Sequence, residues 1–221
     1  MHKRIPLKER CLPRYTRGEE IMNMVTHIAG GGLGILALVL CLLRADTAAE
    51  YIGTSIYGVS MITLYTVSSV YHGLNPNMGK RVMQVIDHCT IYMLIAGTYT
   101  PIMLVAFVPV YPAVGWGMLA AQWGLAALAA TLTAIDLKKY NGFSMVCYIL
   151  MGWGIIFFLP QTLEVLGRQG FGLLLAGGIT YTIGAVLYGV GSRRPWFHSI
   201  FHIFVVLGSF GQFLTVYSYV L

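Results

Sequence analysis

Seven times along the chain a long apolar run is closed off by charges, prolines or turn residues. The runs lie near Ile21 to Leu43, Tyr51 to His72, Val82 to Phe107, Tyr111 to Ile135, Phe143 to Leu159, Phe171 to Val190 and Trp196 to Val220. A bilayer core takes about 20 consecutive apolar residues per helix, so runs of this kind read as membrane spans. The connections between them are short: Arg44 to Glu50, Gly73 to Arg81 with Asn75-Pro76, Val108 to Val110, Asp136 to Gly142, Pro160 to Gly170 and Gly191 to Pro195. The 221 residues are 57% hydrophobic and 10% charged, with a mean hydropathy of +0.72, whereas a soluble domain carries about 25% charged residues. The pattern predicts an all-α chain: a basic tail over residues 1–20, then a single seven-helix transmembrane domain over 21–221. It leaves no room for a soluble domain.

Orientation follows from where the 14 Lys and Arg residues fall, because positively charged loops stay on the cytoplasmic side during insertion. Lys3, Arg4, Lys8, Arg10, Arg14 and Arg17 sit in the N-terminal tail. Lys80 and Arg81, Lys138 and Lys139, and Arg193 and Arg194 mark the second, fourth and sixth connections. The odd-numbered connections hold only Arg44 and Arg168. The chain therefore reads as N-terminus in and C-terminus out. These charges flank membrane ends, where topology and anionic headgroups account for them, so the +6 net charge is not read as a nucleic-acid surface. The first run is too long for a signal-peptide core, and no cleavage-site pattern follows it. Cys11, Cys41, Cys89 and Cys147 form no CxxC pair and indicate neither a disulfide frame nor a thiolate metal site. Gly30-Gly31-Gly32 with Gly34 lacks the ending of a phosphate loop and suits close helix approach instead.

The informative residues are the polar ones inside the spans, since a charged group there costs a few kcal/mol and usually marks function. Glu20, Asn23, Thr26 and His27 open the first span; Ser68 and His72, four apart on one face, close the second. Asp87 lies early in the third, followed by His88, which points about 100° away and reads as structural. His198 and His202, again one turn apart, begin the seventh. With the orientation above, all of them fall at the cytoplasmic end, in one membrane slab, as a site assembled between helices requires.

Two histidines at i and i+4 with a third from a neighbouring helix match the His₃ set of a catalytic zinc, so His72, His198 and His202 are the candidate ligands. Asp87 is placed to hold a zinc-activated water and shuttle its proton, and Ser68 to steady a developing oxyanion or orient a ligand. Asn23 and His27 would support the ligands or position substrate. Each residue alone also has an ordinary reading: a helix-end His72, an interhelical hydrogen bond from His198 and His202, a dipole contact at Asp87, a back-bonded Ser68. Glu19 and Glu20 read as charges on a first turn.

The motifs Glu20-x₂-Asn23-x₂-Thr26-His27, Ser68-x₃-His72, "DHCTIYMLIAGTYTP" at Asp87 to Pro101, "MGW" at Met151 to Trp153 and "HSIFH" at His198 to His202 resemble the bacterial hemolysin III family. That family is the prokaryotic branch of the PAQR proteins, which include the adiponectin receptors. The resemblance implies a multi-pass protein of the bacterial cell (inner) membrane with seven helices and a cytoplasmic N-terminus. It implies zinc on His72, His198 and His202, with Asp87 contacting the metal water and Ser68 close by. One position departs: relatives often carry a further His late in the last helix, where this chain has Gln212. Alkaline ceramidases in the wider superfamily imply a zinc-dependent hydrolase of amide-linked lipids, with a membrane lipid or fatty acyl substrate. The alternatives are a membrane-state or lipid-sensing receptor with structural zinc and, with little support in the sequence, a pore-forming cytolysin.

Overall fold

A computed structural model of the chain describes residues 6–191 and 194–221. Lys3, Arg4 and Arg193, three of the charges used above for orientation, and the tail histidine His2 lie outside the described residues. Within the described residues the fold is all-helical: α1 Arg17–Arg44, α2 Ala48–Gly73, α3 Met78–Pro101, α4 Pro112–Ile135, α5 Asn141–Trp153, α6 Leu159–Gly191 and α7 Phe197–Thr215. π-helical segments extend α3 over Ile102–Phe107 and α7 over Val216–Val220, and a 3₁₀ segment, Gly154–Phe158, joins α5 to α6. Local chemistry sets several of these starts. Thr16 and Glu19 form a capping box at α1, Thr47 and Glu50 a second at α2, Asn77 caps α3, and Pro112 stands in the first turn of α4. α1 therefore begins four residues before the expected span, inside the basic tail.

The fifth connection differs most from the sequence reading. Pro160 to Gly170 is largely helical, and the chain departs from helical geometry at Gly167, with φ 67° and ψ 172°. Pro160 lies in the first turn of α6, where a missing N–H breaks no helical bond, so it does not end the span. Positive φ at Gly167, open to a residue without Cβ, makes the reversal. Glu164 and Gln169, on either side of it, reach Tyr111 and Tyr219 respectively at one end of the bundle. Tyr188, late in α6, packs against His198 at the other. The backbone groups loosened where α5 passes into the 3₁₀ segment are taken up by neighbouring helices. Tyr99 Oη donates to the Gly152 carbonyl at 3.0 Å and accepts from Ile155 N–H at 3.0 Å, while Gln122 Nε2 donates to the Met151 carbonyl at 2.9 Å. α7 starts at Phe197, with Trp196 as its cap and Pro195 in the connection before it.

α1, α3, α4 and α7 with its extension, and the continuous helical stretch Asn141–Gly191, are long and apolar enough to cross a membrane. α2 is of similar length but richer in Thr, Ser and Tyr. It buries Tyr57, Met61, Leu64 and Tyr65 against its neighbours and exposes Tyr51, Ile52, Val59 and Val70. The outer surface of the bundle is apolar, with Leu43 79% and Phe157 80% exposed. The glycine run of α1 does bring helices close: Gly30 lies flat against the ring of Tyr65, and Gly34 against Met61 and Ile62.

Candidate metal centre

The site is built where four helices meet at one end of the bundle. The last turns of α2 supply Ser68 and His72, and the first turns of α7 supply His198 and His202. The start of α1 supplies Glu20, Asn23 and His27, and the start of α3 supplies Lys80. The entry into α7 is fixed by an unusual cap. Trp196 adopts φ 68° and its N–H donates to Glu19 Oε1 at 2.7 Å, which ties the His198 turn to α1. A non-glycine residue in this region is strained by about 1–2 kcal/mol, offset here by a charge-assisted hydrogen bond.

One ring nitrogen from each of His72, His198 and His202 lies within 4.8 Å of the others. The Nε2 atoms are 3.4 Å apart for His72 and His198, and 3.0 Å for His198 and His202. Their tautomers follow from the opposite side of the rings. His72 Nδ1 contacts Glu20 Oε2 at 2.6 Å and His202 Nδ1 contacts the Asn23 carbonyl at 3.3 Å. A carboxylate and a carbonyl only accept, so both Nδ1 atoms carry the proton and both Nε2 atoms present lone pairs. His198 Nδ1 has no hydrogen-bond partner. If His198 Nε2 carries a proton it can serve one of the facing lone pairs, not both. A cation at their convergence satisfies all three, and the carboxylate and carbonyl behind the rings are the usual orienters of metal-bound imidazoles. The donor set therefore fits a metal ion.

A cavity of about 190 Å³ runs from this cluster into the bundle. Ser68, Asp87 and His27 line it beside His198 and His202, and its walls beyond are largely apolar, reaching Tyr99, Ile102 and Leu174. Both ring nitrogens of His27 are buried without a hydrogen-bond partner, and Ser68 Oγ is buried beside the Asp87 carboxyl. The His27 ring stacks on His202 at 3.7 Å between centroids with an interplanar angle of 11°. Asn23 is fully buried, its amide nitrogen 3.4 Å from His72 Nδ1. The structure thus brings His27, Ser68, Asp87, His198 and His202 to one chamber, with His72 and Asn23 in contact with the histidines outside its lining. Thr26 instead bonds carbonyls of its own helix at 2.8 and 3.0 Å. His88, read as structural, bonds the Gln84 carbonyl at 2.8 Å and also lines the chamber. Gln212, about 15 Å along α7 from His202, donates to the Leu174 carbonyl at 3.1 Å, well away from the histidines.

Three participants were not legible as such. Glu20 bridges His72 and Lys80 rather than simply charging a first turn. Lys80, counted with the headgroup-facing charges of the second connection, is only 3% exposed and ion-paired. Tyr15, from the tail, stacks on His198 at 5.0 Å and covers the cluster; burial raises its hydroxyl far above the usual tyrosine range, so it stays neutral. The segment carrying it is held across the ends of α3 and α4. Arg81 Nε donates to the Arg10 carbonyl at 3.0 Å, and the Arg10 guanidinium to the Ile135 carbonyl at 2.9 Å. The sequence signal for Glu20 was its position three and seven residues before Asn23 and His27, on one helical face.

The chain is similar to known proteins over nearly its whole length. The family model described as Haemolysin-III related matches residues 15–213, from Tyr15 past both histidines of α7. Hemolysin-3 of Bacillus cereus is 38% identical over 206 residues, covering 92% of each chain. The Hemolysin-3 homolog of Bacillus subtilis (strain 168) is 36% identical over 208 residues, 93% of this chain and 96% of that one. The human monocyte to macrophage differentiation factor is 26% identical over 227 residues, 99% of this chain and 91% of the relative.

Proposed function

The chain belongs to the hemolysin III family of integral membrane proteins, and from that premise we propose a zinc-dependent hydrolase of amide-linked lipids. It spans the bilayer seven times with its N-terminus in the cytoplasm, and its zinc ligands are His72, His198 and His202. The observation that carries the proposal is the convergence of three imidazole Nε2 atoms at the end of an apolar chamber. Ligands about 2.0–2.1 Å from a tetrahedral zinc stand about 3.3 Å apart, close to the 3.4 and 3.0 Å separations found here. When bound, zinc supplies a Lewis acid that makes water nucleophilic near neutral pH.

The remaining work falls to the chain's own residues. The apolar wall of the chamber holds the acyl chain and keeps bulk water from it. Asp87, in the chamber beside the histidines, takes the proton of the attacking water and passes it to the nitrogen of the leaving amine. Ser68 Oγ, buried beside the Asp87 carboxyl, donates to the carbonyl oxygen as negative charge develops there. The products are a free fatty acid and an amine. Release of fatty acid from ceramide-like lipids by purified, zinc-loaded protein tests the reaction. Asp87→Ala should keep the metal and lose at least about 100-fold in turnover.

One observation favours a second reading, a lipid-sensing regulator with structural zinc: Tyr15, from the tail, stacks on His198 and shields the histidine cluster on that side. Zinc-loaded wild type without turnover on any tested lipid amide would support it. The lysis implied by the relatives' name finds less support, because the chamber's lining is largely apolar.

A further inference from the structure

Glu20 contacts the histidine cluster through His72, and both of its oxygens are engaged. Oε2 lies 2.6 Å from His72 Nδ1, and Oε1 lies 2.6 Å from Lys80 Nζ. Lys80 comes from α3, is 3% exposed, and also donates to the Leu74 carbonyl at 2.8 Å. That carbonyl belongs to the residue that caps the C-terminus of α2, the helix carrying His72. The Lys80 ammonium sits 5.3 Å from the ring centre of Tyr71, the neighbour of His72. A buried ammonium is costly unless paired, and here its pairing clamps the carboxylate to the end of α2. Three helices are closed into one circuit: α1 through Glu20, α2 through His72 and Leu74, α3 through Lys80.

We infer that Glu20, braced by Lys80, is a positioning residue that fixes the tautomer and ring orientation of His72 and so sets the affinity of the metal site. This role rests on the metal reading of the three histidines. With both oxygens held, the carboxylate cannot swing away, and His72 is kept with its proton on Nδ1 and its Nε2 lone pair aimed at His198. Lys80 offsets the carboxylate's charge and supports His72 only through Glu20.

The test uses the full chain in lipid nanodiscs, with zinc affinity read by chelator competition and histidine tautomers read by ¹⁵N NMR on chelator-stripped protein. Glu20→Ala should weaken zinc binding about 10–100-fold and abolish the fixed Nδ1–H form of His72. Glu20→Gln, which keeps an acceptor oxygen, should retain that tautomer and most of the affinity. Lys80→Met should weaken zinc less than Glu20→Ala does, and it gives an independent reading should Glu20→Ala fail to fold. Glu50→Ala, which removes a capping carboxylate at the opposite end of α2, should leave zinc affinity unchanged. A stabilising contact without a positioning role would lower the thermal midpoint while leaving affinity and tautomer as in wild type, and that result overturns the inference. Wild type that binds no zinc overturns the metal reading itself. Wild type that binds zinc, beside Glu20→Ala and Lys80→Met proteins of equal affinity, overturns the role of Glu20 alone.

Discussion

At the scale of single residues, the site is defined by which polar atoms have partners. Two of the three imidazoles are held from behind by acceptors that leave their Nε2 lone pairs facing inward. Removing one ring should therefore remove the metal rather than weaken it slightly. His72→Ala is expected to purify with zinc below one tenth of wild-type occupancy, checked by elemental analysis. Ser68→Ala should retain full occupancy and slow lipid amide hydrolysis by about 10–1000-fold if its hydroxyl serves the oxyanion; unchanged turnover would remove it from the mechanism. The histidines, Asn23 and His27 were legible because polar groups inside apolar runs are expensive, and the charge bias of the loops placed them at one depth. Glu20 and Lys80 were not. A charge near a membrane end reads the same whether it meets headgroups or a buried partner, and only the three-helix circuit distinguishes the two. Tyr15 lay in a tail that carries no periodic signal.

At the scale of elements, the glycines of α1 make a differential prediction. A Cβ on Gly30 would stand 2.5 Å from ring carbons of Tyr65, a fully buried side chain whose hydroxyl is held by Ser209 at 2.6 Å. A Cβ on Gly32 would meet nothing within 4 Å. Gly30→Ala should destabilise the bundle by about 1–3 kcal/mol through overpacking, whereas Gly32→Ala should be neutral or mildly stabilising. Thermal or denaturant unfolding in detergent separates them; equal effects would contradict the packing of α1 on α2. The existence of the helical runs was legible from hydropathy, and their edges were less so. Pro160 looked like a terminator, yet in the first turn of a helix proline terminates nothing. The actual reversal depends on the backbone of Gly167, one of 26 glycines in the chain. The capping boxes at Thr16 and Thr47 moved both helix starts outward past the apolar residues that hydropathy counts.

At the scale of the whole molecule, an odd number of spans puts the two termini on opposite sides of the bilayer. In a bacterial host, a C-terminal alkaline phosphatase fusion should be active and a C-terminal green fluorescent protein fusion dark; the reverse pattern would contradict seven spans with a cytoplasmic N-terminus. That arrangement would put the histidine end of the bundle at the cytoplasmic face. The measurement that bears most directly on the account is the metal content of the purified chain, taken together with that of His202→Ala. About one zinc per wild-type chain, absent from a His202→Ala protein that remains helical and monodisperse, is the expected result. A well-folded wild type that stays free of zinc after incubation with the metal would contradict it.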